Sequence, residues 1–121
     1  SPKEYREQML SDTVIAHSYM VDKYQKISRQ LGFQKTYILN DIMAVFAAAQ
    51  KKSDAESLFV LGELCMDLYP ETMMGHYFNG IGYEITENYK KALKSYERAY
   101  SSEPIDFITK EMILNKIESL N

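Results

Sequence analysis

The chain has 121 residues, 45% of them hydrophobic, which predicts one globular domain and excludes an intrinsically disordered chain. The formal net charge is −3 and the sequence has no long basic run, which argues against nucleic acid as a partner. No apolar stretch approaches the roughly 20 residues that a membrane span needs, and the single cysteine, Cys65, excludes an intrachain disulfide.

Apolar residues recur at three- and four-residue steps along most of the chain, which is the spacing of one buried helix face. The sequence predicts a short helix over residues 3–10 and a long one over residues 12–31. Gly32 follows the last periodic residue, where glycine commonly ends a helix. The buried face of the long helix is predicted to carry Ile15, Met20, Tyr24, Ile27 and Leu31.

A second pair of helices is predicted over residues 37–50 and 54–68. Ser53 and Glu56 have the spacing of a capping box, in which each side chain satisfies a free backbone N–H at the start of a helix. The second helix stops before Pro70, because proline disrupts a helix interior. These two helices form a predicted hairpin.

A third pair follows at residues 73–85 and 89–100 and stops before Pro104, and the last predicted helix spans residues 106–120. No stretch alternates polar and apolar residues for long enough to predict a strand. The predicted fold is therefore all-α, with about six or seven helices in antiparallel hairpins. The last helix is predicted to turn these residues inward: Phe107, Ile108, Met112, Ile113 and Ile117.

Pro70 and Pro104 are 34 residues apart, and each closes a predicted hairpin. Thirty-four residues is the period of the tetratricopeptide repeat. Small residues on facing helices let two backbones approach closely, and aromatic residues fill the remaining space. The unit 71–104 resembles this repeat because it has small, aromatic and proline residues in the expected order: Gly80, Tyr83, Ala92, Tyr96, Ala99 and Pro104.

The unit departs from the repeat at His76 and Asn79, where tryptophan and leucine are usual. The preceding unit is degenerate, because Phe46 replaces a small residue of its first helix. The resemblance implies a right-handed tetratricopeptide-like array within one domain. Its predicted parts are N-terminal helices at 1–36, a degenerate repeat at 37–70, a tetratricopeptide-like repeat at 71–104 and a capping helix at 105–121.

Four short motifs carry a second resemblance. They are Tyr24-Gln25-Lys26-Ile27-Ser28, Leu31-Gly32-Phe33, Asn40 and Leu68-Tyr69-Pro70-Glu71-Thr72. Over about residues 15–104 the chain resembles the C-terminal tail of a group of bacterial esterases and other serine hydrolases. The resemblance implies a non-catalytic tail of a larger hydrolase, exported or periplasmic. Without it, a cytoplasmic location is expected.

The sequence has none of the catalytic or metal-binding motifs that we searched for. A serine hydrolase needs the G-x-S-x-G turn, which is absent, so the catalytic part of a parent hydrolase would lie outside this chain. His17 and His76 form no metal-ligand spacing with Cys65. We therefore expect no catalytic residue, cofactor or metal here, and we do not expect the chain to be an enzyme.

In stacked hairpins the first helices line a concave face, which is the usual binding surface. That face could be covered by the chain's own terminal helices, by a neighbouring domain or second copy, or by an apolar peptide. The 34-residue register assigns it eight residues: Asn40, Met43, Ala47, Gln50, Met74, Tyr77, Ile81 and Glu84.

The leading prediction is a protein-interaction module whose partner is the parent domain, a second copy or an apolar segment. Two alternatives remain open. One is a free-standing homodimeric adaptor. The other is a helical protein that binds a small ligand with its tyrosine-rich interior, for which a polar pocket at His17 or His76 would be the sign.

Overall fold

The computed structural model describes residues 35–105 and 107–121. The predicted helices at 3–10 and 12–31, with His17 and the motifs between residues 24 and 33, lie outside these residues. The described part is all-helical, which confirms the predicted fold class at this level, and it has no β-strand. Its five helices are α1 (Lys35–Lys51), α2 (Ala55–Leu68), α3 (Met74–Ile85), α4 (Tyr89–Tyr100) and α5 (Lys110–Leu120).

The turns within the two hairpins have the same backbone structure and lie 34 residues apart. Ser53 in the first and Glu87 in the second both have left-handed backbones, with φ of 53° and 61°. The next residue in each turn donates its N–H to the carbonyl five residues earlier, Asp54 to Ala49 and Asn88 to Tyr83, each at 2.8 Å. This is the Schellman ending of a helix.

The residue that completes each turn also begins the next helix. The side chain of Asp54 accepts the Ser57 N–H at 3.1 Å, and that of Asn88 accepts the Lys91 N–H at 3.4 Å. The predicted capping box is therefore wrong: Asp54 is the N-cap of α2, because Ser53 is committed to the left-handed end of α1. Since capping occurs one residue later, Glu56 lies outside the capping-box position.

The two loops that leave the hairpins run side by side. Met73 donates its N–H to the Glu103 carbonyl, and Glu103 donates its own to the Glu71 carbonyl, both at 2.9 Å. These bonds form a short parallel bridge. They fix the start of α3 against the end of α4, so the loops that contain Pro70 and Pro104 are neighbours in space.

Helix α5 begins at Lys110, four residues later than predicted. Thr109 is its N-cap and accepts the Met112 N–H at 3.2 Å. Before it, Ile105 and Ile108 exchange two backbone hydrogen bonds and close a tight turn. The prediction that Phe107 points inward is wrong, because this turn leaves it 36% exposed, whereas Ile108 is fully buried.

The core depends on close approach of helix backbones. A Cβ atom added at Gly80 would lie 2.4 Å from the Tyr96 ring, and one at Gly75 would lie 2.9 Å from the Gly62 carbonyl oxygen. Both distances are shorter than real Cβ contacts. Gly80 therefore lets α3 approach α4, and the pair Gly62 and Gly75 lets α2 approach α3.

Aromatic rings join the two hairpins. Phe46 of α1 stacks on Phe78 of α3 with ring centroids 4.6 Å apart. The ring of Tyr83 on α3 lies 4.8 Å from the Phe59 ring of α2. Phe46, Phe59, Phe78 and Tyr83 thus form the aromatic contact between the two hairpins.

Replacing Glu87 by glycine should stabilise the fold by about 0.5–1 kcal/mol, because glycine adopts the left-handed conformation without steric cost. Ser53→Gly should do the same at the equivalent turn. Thr86→Gly is the matched control: Thr86 has a φ of −87° and its hydroxyl donates to the Gly82 and Tyr83 carbonyls, so this change should destabilise. Urea unfolding measures all three, and equal effects of Glu87→Gly and Thr86→Gly would contradict the turn assignment.

Replacing Ala92 by leucine should cost ~1–3 kcal/mol, because Ala92 is fully buried where helices meet and a larger side chain overpacks the contact. Ala47→Leu is the control, since Ala47 is an exposed helix residue and the same change there should be near neutral. Thermal melts of both variants provide the comparison. If the two melting temperatures agree, the close-packed assignment of Ala92 is wrong.

Candidate functional site

The half of the predicted concave face that lies on α1 is accessible. Asn40, Ala47 and Gln50 are exposed and Met43 is half-buried. These residues recur at three- and four-residue steps, so they form one stripe along the helix. The opposite face of α1 contributes Ile42, Val45 and Ala49 to the core.

The half on α3 is packed into the molecule. Met74, Tyr77 and Ile81 are at most 6% exposed, and the Tyr77 ring lies 5.6 Å from the Phe46 ring. Glu84 is the half-buried residue of this set. The structure therefore does not bring the eight predicted residues together as one open surface: a partner could reach the α1 stripe, whereas most of the α3 residues belong to the core.

A polar cluster lies where α3, α4 and α5 meet. Its members are Glu84 and Tyr77 of α3, Tyr96 of α4 and Lys116 of α5. The Lys116 Nζ atom lies 3.8 Å from Glu84 Oε1, and the Tyr77 and Tyr96 ring centroids are 6.4 Å apart. Tyr96 is fully buried beneath Gly80. The cluster joins three helices that are otherwise held by apolar contacts.

The carboxylate of Glu84 influences both tyrosines. Burial raises the pKa of the Tyr96 hydroxyl, and Glu84 raises it further as a hydrogen-bond acceptor and as a negative charge. Burial also raises the pKa of Tyr77, with a second contribution from the charge of Glu84. Both phenols are therefore protonated at neutral pH and can donate hydrogen bonds toward the carboxylate.

Two polar atoms of the cluster lack a hydrogen-bond partner of standard geometry among the described residues. Tyr96 Oη and Glu84 Oε1 are both buried, and neither makes a hydrogen bond of standard geometry. Lys116 brings a positive charge to the partly exposed side of the carboxylate. This ion pair links α5 to α3.

The structure leaves two other residues considered from the sequence, His76 and Cys65, uncharged at neutral pH. Burial lowers the pKa of the half-buried His76, and the positive charge of Arg98 lowers it further, so His76 is neutral at pH 7. Burial raises the pKa of the Cys65 thiol, which is therefore protonated and unreactive. Within residues 35–105 and 107–121, no three His, Cys, Asp or Glu side chains are grouped as metal ligands.

Sequence reasoning missed Lys116 and the role of Glu84. The register predicts Glu84 on the concave face, and the sequence analysis assigns no role to Lys116. The available signal was the order of residues in α5, where Lys116 lies between the half-buried Met112 and Leu120 at four-residue steps. A charged residue on the inward side of a helix predicts a buried or half-buried counter-charge.

No protein-family model matches the chain, and no curated protein matches it significantly. The chain is similar to the crystal structure of an uncharacterised protein from Capnocytophaga ochracea DSM 7271, with 38% sequence identity and a TM-score of 0.83. The likeness covers 99% of this chain and 34% of that one. This chain thus spans about a third of the length of that protein.

One further property of the described helices bears on partners. None of them is both long enough and apolar enough to cross a lipid bilayer.

Alkaline pH should destabilise the fold through the buried tyrosines. In the folded state the pKa values of Tyr69, Tyr77 and Tyr96 are raised above the ordinary 10.0, for Tyr69 to about 12. Above pH 10 the unfolded chain therefore loses these protons before the folded chain does. The stability that the buried hydroxyls contribute is complete below pH 10 and is lost as the pH rises above it. Each such tyrosine should lower stability by up to about 1.4 kcal/mol per pH unit. Urea unfolding at pH 8 and pH 11 measures the loss.

The variant Tyr96→Phe should lose less stability between pH 8 and pH 11, by about the amount that one buried tyrosine accounts for. The substitution removes a hydroxyl that ionises freely only in the unfolded chain. Tyr89→Phe is the control, since the Tyr89 ring is 52% exposed. If Tyr96→Phe and the unsubstituted chain lose the same stability at alkaline pH, the Tyr96 hydroxyl is not buried beside Glu84.

Proposed function

We propose that the chain is a non-catalytic tetratricopeptide-like module that serves as the accessory domain of a longer protein. The observation that carries this proposal is the likeness to the Capnocytophaga ochracea protein. It spans 99% of this chain but 34% of that one, at 38% identity. A unit that recurs as about a third of a larger chain behaves as a domain, and its function is to be sought in what it holds or orients.

The repeated hairpin turn supports the tetratricopeptide-like part of the proposal. Left-handed residues at Ser53 and Glu87, and N-caps at Asp54 and Asn88, recur at the 34-residue period. Residues at matching register positions make the same backbone hydrogen bonds. Repeats of this kind stack to bury a continuous core and present extended surfaces to other proteins.

The side chains of the described residues favour a role in protein contacts over a role in catalysis. The tyrosines of the polar cluster have raised pKa values and are protonated at neutral pH, so they are not nucleophiles there. The thiol of Cys65 and the imidazole of His76 are both neutral and packed in the interior or near it. The parent that we propose is a bacterial serine esterase or related hydrolase, and this part rests on the motif resemblance, including Leu68 to Thr72.

The mass of the native protein tests the accessory-domain proposal. An antibody against this chain should detect in source cells a species much heavier than 14.1 kDa, and cells that lack the gene are the control. A single species near 14 kDa would overturn the proposal and favour a free-standing adaptor.

The hydrolase part has its own test. A fluorophosphonate probe, which labels the activated serine of serine hydrolases, should label the heavier species and leave the isolated 121-residue chain unlabelled. A heavier species that the probe does not label, while a known esterase in the same extract reacts, would overturn the hydrolase assignment and leave the accessory-domain assignment intact.

A further inference from the structure

The exposed large apolar side chains of the described residues lie on α4, on α5 and in the loop between them. Tyr89 and Tyr100 of α4 are 52% and 40% exposed, and Leu114 in the middle of α5 is 39% exposed. Phe107, just before α5, is 36% exposed. Exposed apolar side chains on neighbouring elements mark a candidate contact surface.

Helix α5 has a distinct outer stripe. Lys110, Leu114 and Glu118 follow one another at four-residue steps, so they share one face of the helix, and all three are exposed. The ammonium of Lys110 lies 5.2 Å from the centroid of the Tyr100 ring, which places the stripe beside that exposed aromatic residue. Ile113 is buried on the inward side of the same helix.

The charges on this stripe are arranged symmetrically about Leu114. A positive residue lies one helical turn before it and a negative residue one turn after it. Within the described part of the chain, no cation lies at ion-pair distance from Glu118. Glu118 is thus available to a cation of a partner, and Lys110 is exposed beside the Tyr100 ring.

We propose that the outer stripe of α5, made of Lys110, Leu114 and Glu118, is a self-association surface that pairs with the same stripe of a second copy. If the two helices pack antiparallel about a two-fold axis at Leu114, each Lys110 faces Glu118 of the other copy. The contact is self-complementary, as a two-fold interface requires. The two Leu114 side chains meet at its centre, and Tyr100 and Phe107 extend the apolar area.

The dimer is expected to be weak and sensitive to salt. An 11-residue helix is about 16 Å long, so the paired stripes cover less than the roughly 800 Å² per partner of a stable interface. The ion pairs lie at the surface, where salt screens them. In a longer protein the contact would bring two copies together, whatever the activity of the attached part.

Sedimentation velocity of the 121-residue chain, at concentrations from about 5 to 500 µM, tests the proposal within the range of weak interfaces. The expected result is a concentration-dependent dimer that weakens with added salt. Either Lys110→Glu or Glu118→Lys should weaken it about tenfold, because each replaces two attractive pairs with repulsive ones. Lys94→Glu, at an exposed residue of α4 outside the stripe, is the matched control and should leave the dimer unchanged.

Charge exchange gives the decisive comparison. The double variant, Lys110→Glu with Glu118→Lys, should regain the dimer, and so should an equimolar mixture of the two single variants. These changes place acid in the first turn and base in the last turn of α5, which favours the helix, so circular dichroism should show all variants folded.

A chain that stays monomeric at every concentration would overturn the proposal and assign the stripe to a different partner. A dimer that resists both single charge reversals, or a double variant that fails to regain it, would overturn it as well. None of these results bears on the mass of the native species, so this inference and the proposed function fail independently.

Discussion

Helix α3 can lie between α2 and α4 only because three of its residues have no side chain. Gly75 and Gly82 face Met66 and Phe59 of α2, and Gly80 faces the Tyr96 ring of α4. At each position an added Cβ atom would lie within 3.0 Å of a neighbouring atom. The remaining contacts of the two hairpins follow from this approach, because it determines how closely the aromatic rings between them can pack.

The same glycines make α3 a poor helix by itself. Each costs roughly 0.5–1 kcal/mol relative to alanine in a helix interior, and α3 has only 12 residues. Its helical state therefore depends on α2 and α4, which contribute Leu61 and Tyr96 to the common core. The hairpins must consequently fold together, and the parallel bridge between their exit loops links the start of α3 directly to the end of α4.

Much of this architecture could be predicted from the sequence. The predicted limits of α3 and α4 differ from the observed ones by at most one residue, because Pro70, Asn88 and Pro104 are strong local stop and start signals. The turn at Ser53 was misassigned because serine is a common N-cap, and nothing local reveals a left-handed backbone in a residue that is not glycine. The start of α5 was misassigned because apolar Phe107 and Ile108 continue the helical spacing, whereas backbone bonds between Ile105 and Ile108 close a turn there.

The candidate site was harder to predict than the fold because the repeat register fixes positions but not accessibility. The register predicts that Met74, Tyr77 and Ile81 line a concave face, whereas these residues are in the core. In longer arrays, large apolar side chains at these positions line a groove. Here their burial in the core lowers the free energy of the folded chain more than exposure in a groove would. Within the described part of the chain, the surfaces that a proposed partner could reach are therefore the exposed stripe of α1 and the outer face of α5.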